Sequence, residues 1–211
     1  MWGEILKRDL LGESREEDKF HSIKELREYI ESEIKSQGEN VVIRNLDVSL
    51  IEDFTCLFAG IDLNIDIKSL ESLDLSGWKT SNVKDMTHLF WFCHKLERLN
   101  LSGWDTSNVE RMDGMFCDCK NLKSLDLSGW DTSNVKSMSE MFCGCENLES
   151  LDLSGFDTSN VEDISWMFKE CKNLKSLDLS GWDTSNVEDM SNTFCDCPAP
   201  YEIVDFKIVK K

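Results

Sequence analysis

Proline is nearly absent. Only Pro198 and Pro200 occur in 211 residues, so a long Pro-rich linker is excluded. Histidine is scarce too: His21, His88 and His94 sit in no catalytic or metal-ligand spacing. No glycine pattern of a phosphate-binding loop or dinucleotide fold is present, and no nucleophile-and-base set stands out. Basic residues are outnumbered, Lys+Arg 23 against Asp+Glu 41, for a net charge of −18. A field of that sign repels nucleic acid and anionic membrane surfaces and favours a basic partner. No apolar run approaches the ~20 residues of a membrane-crossing helix, so no transmembrane segment is expected. The first residues carry Glu4 and no sustained apolar core, so neither a secretory leader nor a lipidation cysteine is read there. The expected location is the cytoplasm. Nine cysteines then read as free thiols in a reducing compartment.

What the sequence does have is a repeat. Leu-Asp-Leu-Ser-Gly-Trp begins at Leu73, Leu125 and Leu177, with variants at Leu99 (Asn100 for Asp) and Leu151 (Phe156 for Trp). The interval is 26 residues each time, without a gap. A diverged copy precedes them: Val41, Ile43, Leu46, Ile51, Phe54, Leu57 and Phe58 fall in register with Leu73, Leu75, Trp78, Val83, Met86, Leu89 and Phe90. That first copy carries about six extra residues around Ile61–Ile67, whose alternation suits an added strand. Apolar positions recur as columns, Phe90, Phe116, Phe142, Phe168 and Phe194 among them. One unit alone cannot bury such groups; stacked units can. Leu-x-x-Leu-x-Leu has the alternation of a short strand, and Val-x-x-Met-x-x-Met-Phe has the spacing of a short helix or 3₁₀ turn. Asn82, Asn108, Asn134, Asn160 and Asn186 stand just before that segment, placed to cap it or to bond to a neighbouring unit.

These residues predict an α/β repeat: a leucine-rich-repeat-like right-handed solenoid of about six coils, with short parallel strands and short helical returns. Met115-Phe116-x-x-Cys119-x-x-Leu122-x-x-Leu125-x-Leu127 resembles the Ala-Phe-x-x-Cys-x-x-Leu-x-x-Ile signature of BspA-type leucine-rich repeats. The longer Gly-Trp-Asp-Thr-Ser-Asn-Val-x-x-Met-x-x-Met-Phe form is similar to a related bacterial repeat of surface antigens and lipoproteins. The resemblance covers about residues 41–197. It implies a curved solenoid acting in protein binding or adhesion, and offers the cell surface or secretion as the alternative location.

The expected organisation is an N-terminal helical cap over 1–40, the repeat over 41–197 with coils starting near 41, 73, 99, 125, 151 and 177, and a C-terminal cap over 198–211. Ser22-x-x-Glu25 is a candidate capping box; Phe20, Ile23, Leu26, Ile30 and Ile34 share a face, and Gly38 closes the helix. Trp2, Ile5, Leu6, Leu10 and Leu11 suit a further short helix, and Val204, Phe206 and Ile208 a closing strand. Charges alternate between units, as in Glu97, Lys123, Glu149, Lys175 and in Lys84, Glu110, Lys136, Glu162, which favours one stacking register.

Three residue sets are candidates for function. Trp91, Phe92 and Trp166 break the repeat where equivalent positions are mostly polar or small (Asp118, Gly144 and Glu170 for Phe92; Gly114, Glu140 and Asn192 for Trp166). They read as exposed binding anchors, or as packing against the first unit's insertion. Asp74, Asp126, Asp152 and Asp178 occupy the middle of the strand segment and form either a solubilising row or a track for a basic partner. Cys93, Cys119, Cys145, Cys171 and Cys197 read as a ladder of buried thiols; Cys117, Cys143 and Cys195 complete Cys-x-Cys pairs, for which thiolate metal binding is a distant alternative. The sequence therefore predicts a non-enzymatic protein-binding module without cofactor or metal. A structural or adhesive array with no single site is the alternative.

Overall fold

The computed structural model describes residues 19–59, 69–204 and 207–210. The candidate helix of residues 1–14 and the insertion around Ile61–Ile67 lie outside them. The described chain begins with a bridge at Lys19 to Asp47 and one helix, α1 (Ile23–Gln37). Ser22 caps α1 by accepting from the Glu25 amide at 3.2 Å. The Glu25 carboxylate reaches back to the His21 amide at 3.0 Å, so the box closes one residue earlier than its usual form. Gly38 ends the helix at φ 73°, its amide bonded to the Ile34 carbonyl. Leu26, Tyr29, Ile30 and Ile34 are buried along the inner face.

Successive repeat units then lie side by side in parallel. Strands β1 (Asn40–Val42), β2 (Ser72–Asp74) and β3 (Arg98–Asn100) form one sheet, and β4 (Ser150–Asp152) and β5 (Ser176–Asp178) a second. Leu73 is opposite Leu99 and Leu151 opposite Leu177, matching the 26-residue sequence interval. On the far side of each unit, single parallel bridges link Asp53, Asp85, Arg111, Ser137, Asp163 and Asp189 in turn. Between the two sides the apolar columns are buried. Phe90, Phe116, Phe142 and Phe168 are fully buried, and each ring stacks on the next at 5.5–5.7 Å. Trp78, Trp104, Trp130 and Phe156 are buried as a second column.

This arrangement corrects the expected fold class. The right-handed solenoid of about six coils with helical returns is not what the chain forms. Among the described residues there is one helix, and the short strands gather in two small parallel sheets and a hairpin. Two physical causes are visible. The return segments cannot be helical, because two positions four residues apart hold a left-handed backbone in each unit: His88 (φ 55°) and Phe92 (62°), Glu140 (58°) and Gly144 (71°), Trp166 (60°) and Glu170 (58°). Alternate amides there donate to the next unit, as His88 to the Asp113 carbonyl at 2.7 Å and Phe90 to Met115 at 2.9 Å. The amides between close three-residue turns, as Leu89 to Met86. The second cause is a break in the ladder: Ser124–Asp126 forms no strand, so β3 and β4 belong to separate sheets.

Side chains reinforce the stacking. Asn82, Asn108, Asn134, Asn160 and Asn186 each donate to a serine carbonyl of the preceding unit at 2.6–2.8 Å, rather than capping their own turn. Thr80, Thr106, Thr132 and Thr158, all buried, donate to the carbonyls of Asp105, Asp131, Asp157 and Asp183 one unit ahead. The charge columns pair in part: Lys84 with Glu52, Lys123 with Glu97 and Lys136 with Glu110, at 2.7–3.0 Å. At the C-terminal end the expected single closing strand is instead a hairpin, β6 (Tyr201–Val204) against β7 (Lys207–Lys210), with Tyr201 stacked on Phe194. Phe206 lies outside the described residues.

Candidate functional site

The turns that follow each bridge carry the aromatic residues that interrupt the repeat. His88, Trp91, Phe92 and His94 form one contiguous cluster. Ring centroids are 4.6 Å apart for His88–Trp91, 4.8 Å for Trp91–Phe92 and 5.1 Å for Phe92–His94. All four are half-buried. Gly114, one unit on, makes room for this cluster: a Cβ there would lie 2.4 Å from His88 Cδ2. Trp166 stands three units after His88 in the same column, half-buried, with the Lys169 ammonium 4.5 Å above its ring. Small residues Gly114, Cys117, Cys143 and Gly144 occupy the same turns in the two units between. At about 4.8 Å per unit, the two aromatic positions stand about 14 Å apart along the stack.

Phe92 and Trp166 are notable for their backbone. Both sit in the left-handed region, at φ 62° and 60°. Equivalent positions elsewhere hold Gly, Cys, Asn, Asp, Glu or His. A bulky side chain there costs about 1–2 kcal/mol relative to a right-handed backbone.

The acidic row lies elsewhere in the unit, on the strand segment. Asp126, Asp152 and Asp178 are exposed, and Asp74 is half-buried. Each accepts from the backbone amide two residues on, as Asp126 from Ser128 at 3.0 Å and Asp152 from Ser154 at 2.9 Å. Asp105, Asp131, Asp157 and Asp183 make the same turn in a second row. The first role of these carboxylates is therefore to shape local turns. Ser128 holds the Asp126 carboxyl below its usual range through its amide and hydroxyl. Asp74 differs, because Arg44 pairs with it. Burial pushes Asp74 up, but the Arg44 and Ser76 hydrogen bonds bring it down to about 2.

The buried cysteines have partners. Cys93, Cys119, Cys145 and Cys171 donate to the carbonyls of Phe58, Phe90, Phe116 and Phe142 at 3.1–3.3 Å. Among the described residues no group of three or more His, Cys, Asp and Glu is arranged to hold a metal. No helix among them is long and apolar enough to cross a membrane.

Of the sequence candidates, the structure brings Trp91 and Phe92 together, keeps Trp166 on the same turns but apart, and places the aspartates on a separate segment. His88 and His94 join the aromatic cluster although no motif marked them. The turn-shaping role of the aspartates was written in the sequence as Asp-x-Ser/Thr, repeated at Asp74, Asp105, Asp126 and onward.

Models of the family described as Mycoplasma protein of unknown function, DUF285, match residues 19–119, 62–150 and 93–204. No curated protein matches the chain. Because the matched segments together span most of its length, the chain belongs to the family described as Mycoplasma protein of unknown function, DUF285.

Proposed function

We propose that this chain is a non-enzymatic protein-binding module whose contact surface is the aromatic cluster around Trp91 and Phe92, with Trp166 as a second anchor. The observation that carries the reading is the pair Phe92 and Trp166: half-buried aromatics held in a left-handed backbone where no other described unit carries a large apolar side chain. Such a placement disfavours the fold by about 1–2 kcal/mol, and a core requirement does not explain it. Tryptophan and other large aromatics are the residues that contribute most per contact at protein interfaces. The net charge of −18 favours a basic partner over an acidic one. The resemblance of the repeat to BspA-type repeats supports the same reading, and a surface location would follow from it.

The test is capture from native-cell and host lysates by the wild-type chain, by Trp91→Ser/Phe92→Ser and by Trp166→Ser, with circular dichroism as the folding control. The reading expects a protein held by the wild type and lost by the first variant. Equal capture by all three overturns it. A structural or adhesive array is the second reading, favoured by the interunit Asn and Thr hydrogen bonds, and it expects no loss on removing the aromatics.

A further inference from the structure

Between the two aromatic positions lies a pair of thiols that neither the fold nor the proposed interface uses. Cys117 and Cys143 occupy the same place in neighbouring units, 26 residues apart, with Lys169 next in line. The backbone there is closely paired across all three units. Phe92 donates to the Cys117 carbonyl at 3.0 Å, Asp118 to Cys143 at 2.7 Å and Gly144 to Lys169 at 2.8 Å. Neighbouring backbones about 4.8 Å apart fall within the Cα separation of about 4.4–6.8 Å that a disulfide spans. The two thiols bear on each other's ionisation: Cys143 pushes Cys117 up, and Cys117 holds Cys143 down. None of the nine cysteines is joined to another in the structure.

We propose that Cys117 and Cys143 form a thiol modification site that reacts with low-molecular-weight disulfides and closes a disulfide between adjacent repeat units. Cys143 is the attacking group and Cys117 the resolving one. Cys143 is half-buried and therefore reachable, whereas Cys117 is 5% exposed. The Cys117 hydrogen bond favours the Cys143 thiolate, and Lys169 adds to it. Burial, Glu140 and Asp118 oppose it, and the balance leaves Cys143 below an ordinary thiol. Cys117 is pushed up, first by that same interaction with Cys143 and then by burial. Reactivity follows the thiolate, so the two thiols take different roles.

In the first step the Cys143 thiolate attacks one sulfur of the small disulfide. A protein–sulfur bond forms, the small disulfide's S–S bond breaks, and one small thiolate leaves and takes up the proton that Cys143 released. Cys143 is then uncharged, which removes an obstacle to ionising Cys117. In the second step the Cys117 thiolate attacks the Cys143 sulfur, and the second small thiolate departs with the Cys117 proton. The protein dithiol is oxidised by two electrons, and one small disulfide is reduced to two thiols. Cys93, Cys119, Cys145 and Cys171 stay out of this chemistry. They are buried, and each donates its S–H to a phenylalanine carbonyl.

The experiment incubates the folded full chain with glutathione disulfide, followed by non-reducing digestion and mass spectrometry with fragmentation. The expected product joins Cys117 to Cys143 with loss of two hydrogens. Cys117→Ser is expected to stop at a persistent glutathione adduct on Cys143. Cys143→Ser is expected to lose modification at Cys117 altogether. Reaction confined to Cys56, Cys195 or Cys197 in the wild type would overturn the proposal. So would a bond within one Cys-x-Cys pair, or a persistent adduct on Cys117 in the Cys143→Ser variant. Circular dichroism before and after treatment separates reaction of the fold from reaction of unfolded chain; a product seen only on unfolding also overturns it.

Discussion

Replacing Phe142 with alanine probes the interior most directly. Phe142 is fully buried, and its ring lies between Phe116 at 5.5 Å and Phe168 at 5.7 Å, nearly parallel to both. Truncating a buried phenylalanine costs about 3–5 kcal/mol through lost transfer energy and the cavity left behind. Two stacks are lost here, at about 0.5–1.5 kcal/mol each, so the effect belongs at the upper end of that range. With a urea slope of about 2 kcal/mol per M, a loss of about 5 kcal/mol moves the unfolding midpoint down by about 2.5 M. Phe194→Ala is the internal control: Phe194 also stacks on two rings, Phe168 and Tyr201, but it is partly exposed in the last unit, so its cost is expected to be smaller than that of Phe142→Ala. The assay is urea unfolding followed by circular dichroism and tryptophan fluorescence. A loss below about 1 kcal/mol for Phe142→Ala, or equal losses at the two positions, would refute a shared core running through the units.

Three further predictions address other links. Thr132→Val removes a buried hydroxyl that donates to the Asp157 carbonyl at 3.0 Å, and is expected to destabilise by about 1 kcal/mol in the same assay. Gly114→Ala forces His88 off its place against Trp91, so it is expected to shift tryptophan emission and weaken partner capture without unfolding the chain; an unchanged spectrum would contradict the assigned packing. Burial pushes Asp47 and Asp74 up, but Ser49 with Lys79 and Arg44 with Ser76 outweigh it and hold both at about 2, below the ordinary 3.8. Because the folded values are depressed, their contribution is complete above about pH 4 and is lost as the pH falls toward 2. An Asp47→Asn/Asp74→Asn chain is expected to show a flatter stability profile between those pH values, and an unchanged slope would remove these carboxylates from the account.

The interior was readable because its signal repeats. The Phe90 and Trp78 columns are fixed by a 26-residue period, and a buried position in one unit is buried in most others. The helical returns were misread because Val-x-x-Met-x-x-Met-Phe has helical spacing, and spacing alone does not report backbone handedness. A left-handed residue at His88 or Glu140 carries no distinctive side chain, since only some equivalents are glycine. The break at Ser124–Asp126 was also invisible, because its sequence is the same Ser-Leu-Asp that forms strands β2, β4 and β5. For the site, departures from the repeat marked Trp91, Phe92 and Trp166, but only the fold shows that His88 and His94 complete the cluster. The placing of Cys117 beside Cys143 needed the stacking register, which the sequence interval supplies only once units are known to lie side by side.

The most direct test of the binding claim places a photo-reactive benzoyl-phenylalanine at position 92 and, separately, at position 126 on the acidic strand segment. Illumination in native-cell or host lysate is expected to attach a protein at position 92 and not at 126. Attachment only at 126 would move recognition to the aspartate row, and attachment at neither would contradict the account.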